Sequence, residues 1–291
     1  MHDQNAQGLR HRTLHRVDDL PTQTSSVGSA EANRRFYETH AAIYDETEFC
    51  AEELARAKLE ETLEEALALL PPDPAVLDAG GGTGNASMLL RRAGTGSTLI
   101  DASPEMIARW RAKAEAAGFE HDSELADLES FFEHDARTWD LIVFSSVLHH
   151  LDDPARVLVE ATRTLRPGGV IVTVFDPLRV DRLGLFLRRL DYACWIAMHS
   201  PSTLLRALWR RLTGRLRGGS PEPNFGELAE RHAMSGLDDA DILRRMESAG
   251  ARPVKHERIA DARYEWITAA SRRLDQATHF SFIFRLGGEQ P

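Results

Sequence analysis

Cysteine is nearly absent. Cys50 and Cys194 are the two in 291 residues, far apart and outside any Cys-x-x-Cys spacing, so they build neither a disulfide framework nor a zinc site. Both read as reduced core residues. Long apolar runs are also missing: the most apolar stretch, Leu183 to Met198, is broken by Arg188, Arg189 and Asp191. It falls short of the roughly 20 apolar residues a membrane span needs, which excludes a transmembrane segment there. Met1 to Ala30 contains no apolar centre of the signal-peptide kind, and the expected localisation is cytoplasmic. Positive charge is not in excess either, since 35 Lys and Arg against 45 Asp and Glu give a net charge of −10. No global field therefore draws the chain to nucleic acid or anionic lipid. The 42% hydrophobic content excludes disorder and fits one large domain with appendages.

Residues 1–30 are polar, with Pro21 and a Thr22 to Ser26 run, and read as a flexible tail ahead of a domain over 31–291. Within 31–74 the pattern turns helical, Leu59, Leu63, Ala66, Leu67 and Leu70 recurring at three- and four-residue steps until Pro71-Pro72 stops them. Beyond Pro74 strand, glycine turn and helix alternate. Ala75 to Leu77 is a strand ending in Gly80-Gly81-Gly82, Asn85 to Arg92 a helix, and Thr98 to Ile100 a second strand. Ser103-Pro104 then caps a helix that ends at Gly118. Trp139 to Ser145 is a strand, Asp153-Pro154 opens a helix, and Arg166-Pro167-Gly168-Gly169 turns the chain into a strand over Val170 to Phe175. Asp238 caps a helix stopped by Gly250, Val254 to Ile259 is a candidate strand, and Phe280 to Leu286 alternates as a closing strand. Strands separated by helices in this way make a parallel sheet covered on both faces. The rhythm breaks over 178–225, where nine arginines interleave with Leu, Phe and Trp, a pattern of amphipathic helices inserted as a cap.

The sharpest local signal is Val76-Leu77-Asp78-Ala79-Gly80-Gly81-Gly82-Thr83-Gly84, a strand delivering an acidic residue and a glycine-rich turn to a helix N-terminus. Glycines allow tight backbone and close ligand approach, and the helix amides favour a carboxylate or phosphate. The Gly-x-Gly-x-x-Gly/Ala fingerprint of dinucleotide-binding proteins is not met, because its last position falls on Asn85 or Ser87. That argues against a nicotinamide-dependent oxidoreductase. Asp101 closes the second strand, where a carboxylate can accept hydrogen bonds from both hydroxyls of a ribose.

These residues resemble the class I S-adenosylmethionine-dependent methyltransferases, in particular their UbiE-like small-molecule group, whose first motif is an acidic residue followed by Gly-x-Gly-x-Gly. Asp78, Gly80, Gly82 and Gly84 match it, and the likeness extends from about Phe36 to Pro177. The resemblance implies an α/β, Rossmann-like three-layer sandwich, with a mostly parallel seven-stranded sheet, an antiparallel last strand, N-terminal helices and a helical insertion. It implies S-adenosyl-L-methionine as cofactor, with Asp101 on its ribose and Ala102 and Met106 beside the adenine, although methionine at helical spacing also suits a core. Asp127, with Leu128 supplying backbone, is the candidate for the adenine edge; a solvated acidic face is the alternative. Asp140 to Leu151 resembles the fourth motif, placing Ser145 against the cofactor and His149 and His150 at the rim. Either histidine can take a proton from a substrate hydroxyl. Tyr37 and Tyr44 resemble residues of a segment that folds over the cofactor, plain aromatic packing being the alternative.

The expected partner is a small-molecule methyl acceptor, hydrophobic or aromatic, with Leu185, Phe186, Leu190, Trp195, Ile196, Leu204, Leu205 and Trp209 of the insertion as candidate lining. No nucleic-acid partner is expected, since no Asn/Asp-Pro-Pro-Tyr/Phe motif is found. The arginines of the insertion leave peripheral membrane contact open. No metal site is apparent, and nothing in the sequence sets the oligomeric state. The competing reading is a catalytically silent cofactor-binding scaffold acting through the basic insertion.

Overall fold

Short runs of apolar residues, each closed by a glycine, proline or capping side chain, assemble here into one central sheet. The computed structural model describes residues 53–199, 232, 235–262 and 264–287. The expected tail, residues 31–52 with Tyr37 and Tyr44, Cys50, and the insertion beyond residue 199 lie outside the described residues.

Seven strands form the sheet: β1 (Val76–Ala79), β2 (Thr98–Asp101), β3 (Asp122–Leu125), β4 (Trp139–Ser145), β5 (Leu165–Pro177), β6 (Ala251–Ile259) and β7 (His279–Leu286). Their order is β3-β2-β1-β4-β5-β7-β6. The first five are parallel, and β7, last in sequence, slots between β5 and β6 antiparallel to both. The described helices are α1 (Glu53–Leu67), α2 (Asn85–Arg92), α3 (Pro104–Ala116), α4 (Leu128–His134), α5 (Pro154–Arg163), α6 (Arg182–His199), α7 (Asp239–Ser248) and α8 (Glu265–Arg273).

Strand alternation builds the layers. Val76, Leu141, Val143, Val170 and Val172 share a buried cluster with Leu59 and Leu63 of α1 and Leu90 of α2. Their strand neighbours Leu77, Ile142, Phe144 and Ile171 share another with Phe131 of α4, Leu158 of α5 and Ile242 of α7. The result is the expected helix–sheet–helix sandwich, in which a parallel sheet needs cover on both faces. Caps act as read: the Ser103 hydroxyl accepts from the Met106 amide, and the Asp153 and Asp238 carboxylates accept from the amides of Arg156 and Asp241.

β5 departs from the sequence reading. Arg166 to Gly169 is not a separate turn but already part of β5, whose pairing begins at Leu165 opposite Trp139; Gly168 at φ +81° accommodates the register shift there. The strand also runs on past Phe175 to Pro177. β5 carries an extra residue as well, advancing three positions from Thr173 to Asp176 while β7 advances two, from Phe282 to Phe280. Phe175, inside that bulge, has φ +65°. Among the described residues no helix is long and apolar enough to cross a membrane.

Candidate functional site

The strand order reverses between β1 and β4, and in open parallel sheets the crevice beyond the carboxyl ends at such a switch point is where ligands bind. The glycine turn leaves β1 at that point, and the segment from Ser145 to His150 leaves β4 beside it.

The turn is stitched to the tip of β2. The amides of Gly80 and Gly81 donate to the Ile100 carbonyl at 2.9 and 3.1 Å, and the Gly82 amide donates to Asp101 Oδ2 at 2.9 Å. Asp101 Oδ1 accepts from the Ser103 amide at 2.8 Å. A carboxylate has about four lone-pair directions, so each Asp101 oxygen keeps acceptor capacity beyond these bonds. Gly80, Gly82 and Gly84 all have positive φ. On Gly80 a Cβ would stand 2.4 Å from Val147 Cγ2 and 3.2 Å from Leu128 Cδ1. The segments after β1, β3 and β4 therefore meet at one glycine. On Gly84 a Cβ would stand 2.1 Å from the Trp110 ring, whereas on Gly82 it would meet nothing within 4 Å.

Asp78 is fully buried. Its Oδ2 accepts from both the amide (3.0 Å) and the hydroxyl (2.6 Å) of Ser87 in the first turn of α2. The helix N-terminus expected to greet an external anion is thus partly served by the chain's own carboxylate. Asp78 Oδ1 is buried and has no hydrogen-bond partner among the described residues. Burial pushes the Asp78 carboxyl up to about 6, against its Ser87 bonds and with help from the Asp101 charge. Desolvation likewise pushes half-buried Asp101 up to about 6, opposed by the amides of Ser103, Gly82 and Ala102. Two acids kept close to their ionisation point at a strand-tip crevice make a site that gains from an ammonium or hydroxyl donor.

The other sequence candidates spread around this centre. Ala102 follows β2 directly, and the Ala126 amide donates to the Asp101 carbonyl, tying the Asp127 turn to the same tip. The Asp127 side chain caps α4 by accepting from the Ser130 amide at 3.1 Å, and Leu128 is buried. Met106 is buried in α3. Ser145 ends β4 half-buried, and His149 and His150 follow in a single 3₁₀ turn, both buried, their rings 4.0 Å apart between centroids. His149 Nδ1 lies 2.9 Å from Asp176 Oδ1. Ser87, Trp110 and Asp176 were missed; the first two look like ordinary helix residues in the sequence, and Asp176 like a strand end. Phe186, expected to line an apolar cavity, is 59% exposed, while Leu187 is buried. A cleft of about 630 Å³ beyond the end of β5 is lined by Leu178, Val180, Ile259, Arg258, Arg272 and others, none of them from the glycine turn.

A family model described as a methyltransferase domain matches residues 50–211, more than half of the chain. The tRNA 5-carboxymethoxyuridine methyltransferase of Escherichia coli (strain K12) is 35% identical over 126 residues, covering 42% of this chain and 48% of that protein. The ubiquinone biosynthesis O-methyltransferase of Xylella fastidiosa (strain 9a5c) is 33% identical over 94 residues, covering 32% and 38%. The chain thus spans less than half the length of these curated relatives. Solved structures that share the fold include magnesium protoporphyrin IX methyltransferase from Synechocystis PCC 6803 with bound SAM (TM-score 0.57, 13% identity, 91% of this chain and 100% of that one), and the [4+2]-cyclase SpnF (TM-score 0.58, 13% identity, 90% and 98%).

The glycine geometry separates two substitutions in one motif. Gly82→Ala should cost about 1–2 kcal/mol, the strain of a left-handed residue. Gly84→Ala adds the collision with Trp110 and should cost about 2–5 kcal/mol, because forced overpacking contributes a further 1–3. Urea denaturation of both variants checks the order; equal losses would contradict it.

Proposed function

This chain belongs to the methyltransferase domain family, and from that premise we propose that it binds S-adenosyl-L-methionine over the glycine turn and moves the methyl group, by in-line displacement, to a small hydrophobic or aromatic metabolite. The observation that carries the reading is the Asp101 carboxylate, fixed by the amides of Gly82 and Ser103 at the tip of β2 with acceptor capacity to spare. That suits the two hydroxyls of a ribose. The unpartnered buried oxygen of Asp78 suits the ammonium end of the same molecule, and the open space over Gly82 admits its approach.

When bound, the cofactor supplies a methyl group already activated on a sulfonium, so the chain need not supply a covalent nucleophile. Its residues act by positioning. Gly80, Gly82 and Gly84 would shape the floor, Ala102, Met106, Asp127 and Leu128 would hold the adenine, and Ser145 would stand against the cofactor. His149 or His150 takes the proton that the acceptor loses. Tyr37 and Tyr44, which lie outside the described residues, would exclude water from the site. The domain boundaries at 31, 74, 178 and 225 belong to the same reading, with the insertion as a cap over the acceptor.

The acceptor is assigned on chemistry. Relatives named for ubiquinone biosynthesis and a fold neighbour named for magnesium protoporphyrin IX favour an apolar, aromatic molecule. A relative named for tRNA points the other way, but a net charge of −10 opposes nucleic-acid binding. The cytoplasm is the proposed location, with membrane contact, where it occurs, peripheral and through the basic insertion. A cofactor-binding scaffold without methyl transfer, acting through the basic insertion, is the second reading, kept because a fold does not by itself fix an activity. Transfer of radiolabelled methyl from the cofactor to a component of a metabolite extract distinguishes the two; binding without transfer selects the scaffold.

S-adenosylhomocysteine at about 100 times its Kd should stabilise the protein by about 2.7 kcal/mol, read as a rise in Tm, and no rise at saturation would contradict the proposal. Asp101→Ala should weaken binding about tenfold or more, because hydrogen bonds to a charged acceptor are worth about 1.5–3 kcal/mol each. Near-normal affinity would show that the ribose lies elsewhere. Affinity should also fall as pH drops below about 6, since protonation of the two carboxyls removes their charge and turns one acceptor oxygen of each into a donor. For the ligand-free protein the sign is reversed: carboxyls raised by folding contribute stability that is present below about pH 4 and lost as pH rises through about 6. Ligand-induced stabilisation should therefore grow with pH across that window, and a flat profile would contradict it.

A further inference from the structure

We propose that Asp176 is a positioning residue for His149, holding the Nδ1–H inward and leaving Nε2 as the nitrogen through which the imidazole exchanges a proton, and that the bulge at Phe175 is what delivers the carboxylate. The inference rests on the reading of His149 as a rim residue of the methyl-transfer site, but its test requires no acceptor.

The contact has the geometry of an oriented pair. Asp176 Oδ1 accepts from the backbone amide of His149 at 3.2 Å and lies 2.9 Å from its Nδ1. An oxygen already receiving an amide proton is acting as an acceptor, which puts the ring proton on Nδ1 and assigns the tautomer from the network. The backbone bond and the ring bond together fix both the position of residue 149 and the rotation of its side chain. The Asp176 side chain is wholly buried, whereas that of His149 keeps 9% exposure. A buried carboxylate behind an imidazole that still reaches the surface can hold its tautomer and stabilise its protonated form.

The register of β5 makes this contact. Regular alternation places Val170, Val172 and Val174 in the cluster with α1 and α2, and Ile171 in the opposite one. Phe175 should then join Ile171, and Asp176 should follow the valines. Instead Phe175 shares the cluster of Val174, because the extra residue between the Thr173 and Asp176 pairings slips the phase by one. Asp176 thereby lands on the side of Leu148 and Leu151, where His149 lies. A bulge that re-aims a side chain, with a non-glycine residue at φ +65°, is a costly backbone arrangement of the sort that collects at functional sites.

Asp176 Oδ2 is buried without a hydrogen-bond partner among the described residues. A carboxylate serving only to brace the strand would gain by satisfying both oxygens. Burial pushes the Asp176 carboxyl above the usual carboxylate range, opposed first by its bond to His149. Among the described residues, titratable neighbours of His149 include His150, by ring contact, and His232, whose backbone amide donates to the His149 carbonyl at 3.1 Å.

The test is ¹⁵N-histidine NMR of the full chain without ligand, with the His149 signals assigned by their loss in His149→Gln. In the wild type the neutral ring should carry its proton on Nδ1, and Asp176→Asn should lower the His149 titration midpoint by one pH unit or more, about a tenfold loss of proton affinity. A wild-type ring protonated on Nε2 would overturn the proposal, and this measurement stands even if the variant fails to fold. A folded Asp176→Asn protein whose His149 titrates within about 0.3 pH unit of wild type would overturn it as well. Binding of S-adenosylhomocysteine by the wild type is a separate measurement, so this inference and the functional reading can fail independently.

Discussion

The 2.9 Å hydrogen bond from the Gly82 amide to Asp101 joins the two loops on which the site depends. One end belongs to the turn that leaves β1, the other to the acid that closes β2. With the two bonds to the Ile100 carbonyl, it turns a flexible glycine run into a fixed surface. Loops that carry function work when a rigid scaffold positions them, and here the scaffold is the hydrogen bonding of adjacent parallel strands. Trp110 beneath Gly84, and Val147 and Leu128 beside Gly80, leave no room for side chains at those two positions. The glycines are therefore required by what surrounds them as well as by their dihedral angles.

The same arrangement has an electrostatic cost. Placing Asp78 and Asp101 in adjoining strands, both drawn out of water, raises the carboxyl of each to about 6, so ionising the empty site costs more than ionising the same groups in water. Hydrogen bonds from Ser87, Gly82, Ser103 and Ala102 offset part of that cost. A ligand bearing an ammonium and vicinal hydroxyls would offset much of the rest, so the strain of the empty site and its affinity have a common origin.

Much of this was legible in the sequence because it rests on local patterns. β4 and α2 have the limits read from apolar clustering and turn residues, and Ser103, Asp153 and Asp238 cap helices as their side chains suggest. β3 was not placed, because Asp-Ser-Glu-Leu at a sheet edge is mostly exposed and has no apolar alternation to detect. α4 and α8 went unread because each is short and its polar face dominates. The role of Asp78 in serving α2 was hidden for another reason: it depends on Ser87, nine residues away and meaningful only once strand and helix are packed. Asp176 is the clearest case. Strict period-two reading points its side chain away from His149, and the bulge that reverses this arises from long-range pairing with β7.

Fold and acceptor sit at different levels of the argument. The overall fold is shared with solved proteins named for porphyrin methylation and for a cyclisation, and part of the sequence with relatives named for tRNA and ubiquinone, so likeness of fold does not by itself name the second substrate. The central claim is narrower: the tips of β1 and β2 form one cofactor site. A crystal structure grown with S-adenosylhomocysteine tests it most directly. The account predicts ribose hydroxyls on both Asp101 oxygens and the amino-acid end over Gly80 to Gly84. Ligand bound elsewhere, or a ribose turned away from Asp101, would contradict it.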